Sequence, residues 1–145
     1  MKIAIGADHA GYRYKEILKP ALTARGHQIV DFGTDSEAAT DYPPIMNGVA
    51  QAVARKECDR GIVLGGSGNG EAIVANRVRG IRCTVAWSVE SAQAGRAHND
   101  SNVLALGERF ITEATLIAIL DTWLTTPFEG GRHQRRIELI DKLPT

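Results

Sequence analysis

The chain has 145 residues, a length that suits one domain built around a single core, and its 17 lysines and arginines balance 17 aspartates and glutamates. With no net charge there is no global field to draw nucleic acid or an anionic membrane, so any anion site must be built locally. Two cysteines, Cys58 and Cys83, are too few for a disulfide framework and too far apart for a zinc knuckle, and both read as small core residues of a protein in a reducing compartment.

The chain opens on a strand-like KIAIGA (2–7), and no run is long enough to span a bilayer, so a cytoplasmic location is expected. Further short runs rich in β-branched residues follow at HQIVDF (27–32), RGIVLGG (60–66), IRCTVAW (81–87) and NVLALG (102–107), each too short and too apolar for a helix. Between them, helical spacing predicts helices over 11–25, 43–56, 70–78, 88–98 and 112–124, with a basic amphipathic helix over about 131–142 after a Gly130-Gly131 hinge. Pro43 and Pro44 fit a first turn, and Gly26 fits a helix end. Alternation of buried strand and helix predicts one three-layer, Rossmann-like α/β domain over 1–145 with a five-stranded parallel sheet. Ligands of such sheets bind beyond the strand carboxyl ends.

Two stretches fall at those ends and should face one crevice: GADHAGY after the first strand and GGSGNGE after the third. Gly66, Ser67, Gly68, Asn69 and Gly70 offer successive backbone N–H groups just before a helix N-terminus, which favours an anion. The spacing matches neither a Walker loop nor the dinucleotide fingerprint, and alone it equally serves a tight connection. Glu71 beside these donors pairs a proton acceptor with a stabiliser for the oxyanion that proton removal creates, although a first-turn glutamate also simply suits the helix dipole. Asp8 and His9 form a donor–acceptor pair for sugar hydroxyls or phosphate, or else a strand-to-helix turn in which Asp8 caps the helix. His98 and Asn99 fall at a helix end, Arg109 follows the fifth strand, and Arg132 and Arg136 share one face of the last helix, where they could clamp a phosphate or merely be solvated. His27 reads as structural.

The ordered set GADHAGY, DYP, GGSGNGE, HND, NVLALG and GGRHQRR spans nearly the whole chain and closely resembles the B-type ribose-5-phosphate isomerases, in the family that also holds galactose-6-phosphate isomerase subunits. The resemblance implies aldose–ketose isomerisation through an enediolate, with no metal and no cofactor, in a homodimer that sometimes pairs into tetramers and against whose interface the C-terminal helix packs. One branch of the family has a cysteine base where this chain has Gly65, and the other has a glutamate after the loop, so this chain resembles the glutamate branch. Carried over, Glu71 is the base and the Gly66–Gly70 loop, Ser67 included, the anion hole. The resemblance likewise makes His98 the group that opens the sugar ring with help from Asp8, and Asn99 a ligand of the enediolate or a hydroxyl. It makes His9, Arg109, Arg132 and Arg136 phosphate ligands, with Tyr42 and His133 beside the substrate. Erythrose 4-phosphate, allose 6-phosphate and galactose 6-phosphate remain alternative substrates, and a non-catalytic sugar-phosphate-binding module is the reading from another class.

Topology adds one expectation. A helix following a parallel strand runs back toward the sheet's amino edge, so His98 and Asn99 should lie far from their own crevice and serve a two-fold mate's.

Overall fold

The apolar runs and helical stretches resolve into strands and helices in strict alternation, closed by one extra helix. In the computed structural model, which describes residues 1–144, these are β1 (Lys2–Ala7), α1 (Tyr12–Ala24), β2 (Gln28–Asp31), α2 (Tyr42–Ala54), β3 (Arg60–Gly65), α3 (Asn69–Ala75), β4 (Cys83–Val85), α4 (Val89–Asn99), β5 (Val103–Gly107), α5 (Glu113–Thr125) and α6 (Arg132–Ile140). All strand pairs are parallel, in the order β2-β1-β3-β5-β4. The expected three-layer domain with a five-stranded parallel sheet is therefore the fold.

Side chains alternate across the sheet with period two. Ile3, Ile5, Ile62, Leu64, Leu104 and Leu106 pack with α1, α4 and α5, whereas Ala4, Val63, Val103 and Ala105 pack with α2 and α3. Because both faces are covered, the strands read as continuous apolar runs, and each fully buried Leu or Ile contributes about 1.5–3 kcal/mol relative to exposure. Trp123 of α5 is the bulkiest fully buried side chain, and its Nε1–H donates to Ser101 Oγ at 2.7 Å.

The fourth strand is shorter than its apolar run predicts. β4 lies at the sheet edge with β5 as its only neighbour, so the ladder covers Cys83–Val85 alone, and Ile81 instead turns into the core. Among the described residues no helix is long and apolar enough to cross a membrane.

The sheet order reverses between β1 and β3. β1 is followed outward by β2, whereas the chain later returns to place β3 on the other flank of β1. Connections therefore diverge at the carboxyl ends of β1 and β3 and open a crevice there, at a topological switch point.

Candidate active site

Both motifs expected at strand ends line that crevice. Asp8, His9, Tyr42, Gly66, Ser67, Gly70, Glu71, Arg109 and Phe110 surround a hollow of about 560 Å³. Asp8 does not cap α1, one of the two alternatives its sequence left open. Its Oδ1 accepts the N–H groups of Ala10 at 2.8 Å and Gly11 at 3.1 Å, organising the turn one step upstream, and Gly11 takes the cap position without a side-chain bond. His9 Nδ1 accepts the Thr40 N–H at 3.2 Å, which in a neutral ring leaves the proton on Nε2 as a donor.

Glu71 sits in the first turn of α3 and is 4% exposed. Burial pushes its carboxyl above the ordinary range, and the nearby Asp8 charge adds to the effect. Backbone N–H groups of Glu71 itself and of Gly68 pull the other way without cancelling the rise. A base raised in this way is better matched to a carbon acid than one at about 4.3. The same charge reaches Cys83: burial first, then Glu71, pushes that thiol up to about 12, so it is an inert, partly buried group rather than a nucleophile.

The glycine turn is shaped by its neighbours. Gly68 has φ +86°, a left-handed conformation that favours glycine, and it forms the entry to α3. A side chain at Gly70 would run into the Tyr42 ring, whose hydroxyl would stand 2.9 Å from the added carbon. Not every N–H of the turn is free, contrary to the simple picture of a bank of donors: Asn69 N–H is taken by Ser67 Oγ at 3.2 Å, and Asn69 is exposed and does not line the crevice. Hydrogen bonds from Glu108 N–H to Gly65 O (2.9 Å) and from Arg109 N–H to Gly66 O (3.1 Å) clip the turn after β5 onto the loop. They set the Arg109 guanidinium against Gly66, and among the described residues that guanidinium has no hydrogen-bond or ion-pair partner.

Two aromatic residues belong to this region and were not singled out by the sequence reading. Phe110 lines the crevice, and Trp87 stacks against it with ring centroids 6.0 Å apart. Trp87 Nε1–H donates to Ser67 O at 3.2 Å, tying the end of β4 to the glycine turn. Trp87 is the last residue of the apolar run 81–87, two residues past the end of β4, so its place at a strand carboxyl end was the signal that could have marked it.

The remaining expected residues assemble elsewhere. His98, Asn99, His133 and Arg136 line a separate hollow of about 420 Å³ between α4 and α6, and none of them borders the Glu71 crevice. The His98 and His133 rings stack with centroids 4.7 Å apart. The end of α4 is held firmly: buried Arg96 donates to Asp100 Oδ1 at 2.8 Å and Ser101 O at 2.6 Å, and Arg82 donates to the carbonyls of Asn99 and Asp100, each at 2.9 Å. Arg132 is exposed and lines neither hollow, whereas Arg136, four residues on, lines the second.

The fold and the crevice define a Rossmann-like α/β domain with a buried carboxylate set against a glycine turn at the switch point. The chain belongs to the Ribose/Galactose Isomerase family, whose profile matches residues 3–140. It is 46% identical over 139 residues to ribose-5-phosphate isomerase B of Escherichia coli K12, covering 96% of this chain and 93% of that one. It is 44% identical over 142 residues to ribose-5-phosphate isomerase B of Mycolicibacterium paratuberculosis, covering 97% and 89%. The Clostridium thermocellum ribose-5-phosphate isomerase B structure superposes with a TM-score of 0.96 at 46% identity, covering 98% of this chain and 96% of that one. The Mycoplasma genitalium enzyme, solved with bound ribulose-5-phosphate, superposes with a TM-score of 0.93 at 38% identity, covering 97% and 94%.

Proposed function

We propose that this chain interconverts ribose 5-phosphate and ribulose 5-phosphate by proton transfer between C1 and C2. The observation that carries the reading is Glu71: a buried carboxylate, raised above its ordinary range, at the wall of a crevice that also presents Arg109 and the glycine turn. Its support from kinship is the family match and relatives named as ribose-5-phosphate isomerase B across nearly their whole length.

Once the sugar ring is open, ionised Glu71 removes the proton from C2 of the aldose. The electron pair forms the C1=C2 bond and charge moves to the oxygen on C1, which those N–H groups of the Gly66–Gly70 turn not already bonded to Ser67 Oγ or the Glu71 carboxylate stabilise. The O1 oxygen then gains a proton, the hydroxyl on C2 loses one as its carbonyl forms, and Glu71 returns its proton to C1. Arg109 and His9 hold polar groups of the substrate at the crevice mouth, with Tyr42 packed behind the turn. Asp8, whose Oδ2 is free while Oδ1 organises its own turn, assists ring opening.

His98 donates and accepts the ring-opening proton, Asn99 binds a hydroxyl, and His133 with Arg136 completes the far end of the site, all from the other subunit of a homodimer. What supports this sharing is that the four residues gather in a hollow of their own, away from Glu71 of the same chain. Arg132 joins the phosphate group from the start of α6. The reading includes a cytoplasmic location, with no metal or cofactor in the reaction.

Turnover of ribose 5-phosphate in metal-free buffer, compared with erythrose 4-phosphate, allose 6-phosphate and galactose 6-phosphate, tests the proposal. Ribose 5-phosphate should give the highest kcat/KM. Binding of all four without turnover would establish a non-catalytic module instead.

A further inference from the structure

One cluster has chemistry that isomerisation does not use. Glu129, in the segment between α5 and α6, lies beside the two stacked imidazoles, and one ligand atom from each of His98, Glu129 and His133 falls within 4.8 Å of the others. His133 is 8% exposed, and its Nε2 is buried without a hydrogen bond. Its near neighbour is Glu129 Oε2 at 3.4 Å. The segments carrying the three residues are joined, because Glu129 N–H donates to Ala97 O at 3.0 Å, one residue before His98.

We propose that His98, Glu129 and His133 form a binding site for a divalent transition-metal ion, zinc above all, which blocks the sugar-phosphate site rather than serving it. Two imidazoles and a carboxylate are a set that suits zinc and leaves a fourth tetrahedral position open. Bonds of about 2.0–2.1 Å separate neighbouring ligand atoms by roughly 3.4 Å, so the ligand atoms must draw together and the stacked His98 ring must turn out of the stack until both nitrogen lone pairs meet at one point. Rotation of the exposed His98 and Glu129 side chains toward the buried His133 supplies this. Arg136 lines the same hollow and repels a dication, which makes the Glu129 charge the feature that decides affinity. Magnesium, which wants an octahedron of oxygens, is excluded by the two nitrogens. The ion occupies both imidazoles at once, so His98 cannot exchange a proton with a sugar while it is bound.

The blocking half of this proposal rests on the isomerase reading, whereas the binding half does not. Calorimetric titration of metal-free protein with zinc chloride in the absence of sugar should show one ion per chain, with no heat from magnesium. Glu129 is 53% exposed at its side chain and can be changed without disturbing the core. Glu129→Gln should weaken zinc binding roughly tenfold or more, since even an outer partner of a metal ligand commonly matters that much. In metal-free buffer Glu129→Gln should turn over like the parent, and micromolar zinc should inhibit the parent reversibly by chelator while sparing the variant. Equal zinc affinity in parent and variant would overturn the site. Zinc binding without loss of turnover would overturn the block. A large basal loss in Glu129→Gln with unchanged zinc affinity would overturn the proposal in favour of a positioning role for Glu129. If the parent binds zinc but isomerises no sugar phosphate, the enzymatic reading fails and the metal site stands.

Discussion

Glu71 folds its carboxylate back over the Cα of Gly65, into the space that a side chain at 65 would occupy. An added Cβ would stand 2.7 Å from Glu71 Oε2 and closer still to Oε1. A residue at 65 and the present pose of Glu71 are therefore mutually exclusive, which gives a physical reason for the alternative of a side chain before the loop or a glutamate after it. Gly65→Ala should displace the carboxylate by about the width of a methyl group and lower kcat on the order of a hundredfold, the scale of a 1 Å misplacement. Stopped assays on the purified variant, with a thermal melt to confirm folding, check this. Adding Glu71→Gly to Gly65→Ala should relieve the crowding and recover stability without recovering turnover.

Glu71→Gln should reduce kcat by about 10²–10⁴-fold, the usual contribution of a general base, while KM changes little. The parent's pH profile should show an acid limb above the ordinary glutamate value, because burial and Asp8 raise the Glu71 carboxyl. The same rise has a stability consequence. A carboxyl whose folded pKa exceeds its unfolded one binds its proton better in the folded state, so this group's contribution falls as pH rises from the unfolded value of 4.5 through the folded one. Glu71→Gln should thus equal or exceed the parent in stability at neutral pH, and the difference should vanish in acid. Denaturant unfolding at pH 4 and pH 8 measures it. A variant less stable than the parent only at the higher pH would contradict the assignment of a destabilised base.

Much of this was legible in the sequence because the signals were local. Strand and helix alternation followed from short apolar runs and helical spacing, and the motifs after β1 and β3 were placed at one crevice by the parallel topology alone. What escaped was non-local. The extent of β4 depends on its being an edge strand, which no stretch of its own residues encodes. A helical lysine is almost never fully buried unless paired, yet Lys15 is, with Nζ bonded to both oxygens of Asp31 (2.7 and 2.9 Å) and to Thr34 O (2.7 Å), partners that only the fold supplies. Glu129 stands four residues before His133, and only the fold of α6 against α4 brings that pair to His98.

Trp87 should tune the site from behind. In a trans peptide the carbonyl of one residue and the N–H of the next point in opposite directions, so the indole that holds Ser67 O also keeps the Gly68 N–H facing the Glu71 carboxylate. Trp87→Phe retains an aromatic partner for Phe110 but removes the donor. The loss of one hydrogen bond, about 0.5–1.5 kcal/mol, corresponds to a fall of roughly two- to tenfold in kcat, with KM nearly unchanged. The acid limb of the pH profile should move upward as Gly68 N–H ceases to steady the ionised form. A fall in melting temperature with an unmoved pH profile would identify Trp87 as structural only.

The separation of Glu71 from His98 within one chain leads to the sharpest test of a shared site. The two residues line different hollows, so if both act on one sugar molecule they must come from different subunits. A heterodimer of Glu71→Gln and His98→Ala chains would then concentrate both lesions in one site and leave the other intact. Two-fold symmetry makes the arithmetic simple: random re-pairing puts half the dimers in the mixed state, each with one good site of two, giving about a quarter of the parent activity. Each variant alone sets the baseline, and residual ring opening by His98→Ala is subtracted. Subunit exchange must be verified independently, by mass-labelled chains under native conditions. With exchange established, recovery to near a quarter supports a dimer obligatory for turnover, whereas no recovery above baseline means that His98 serves the crevice of its own chain.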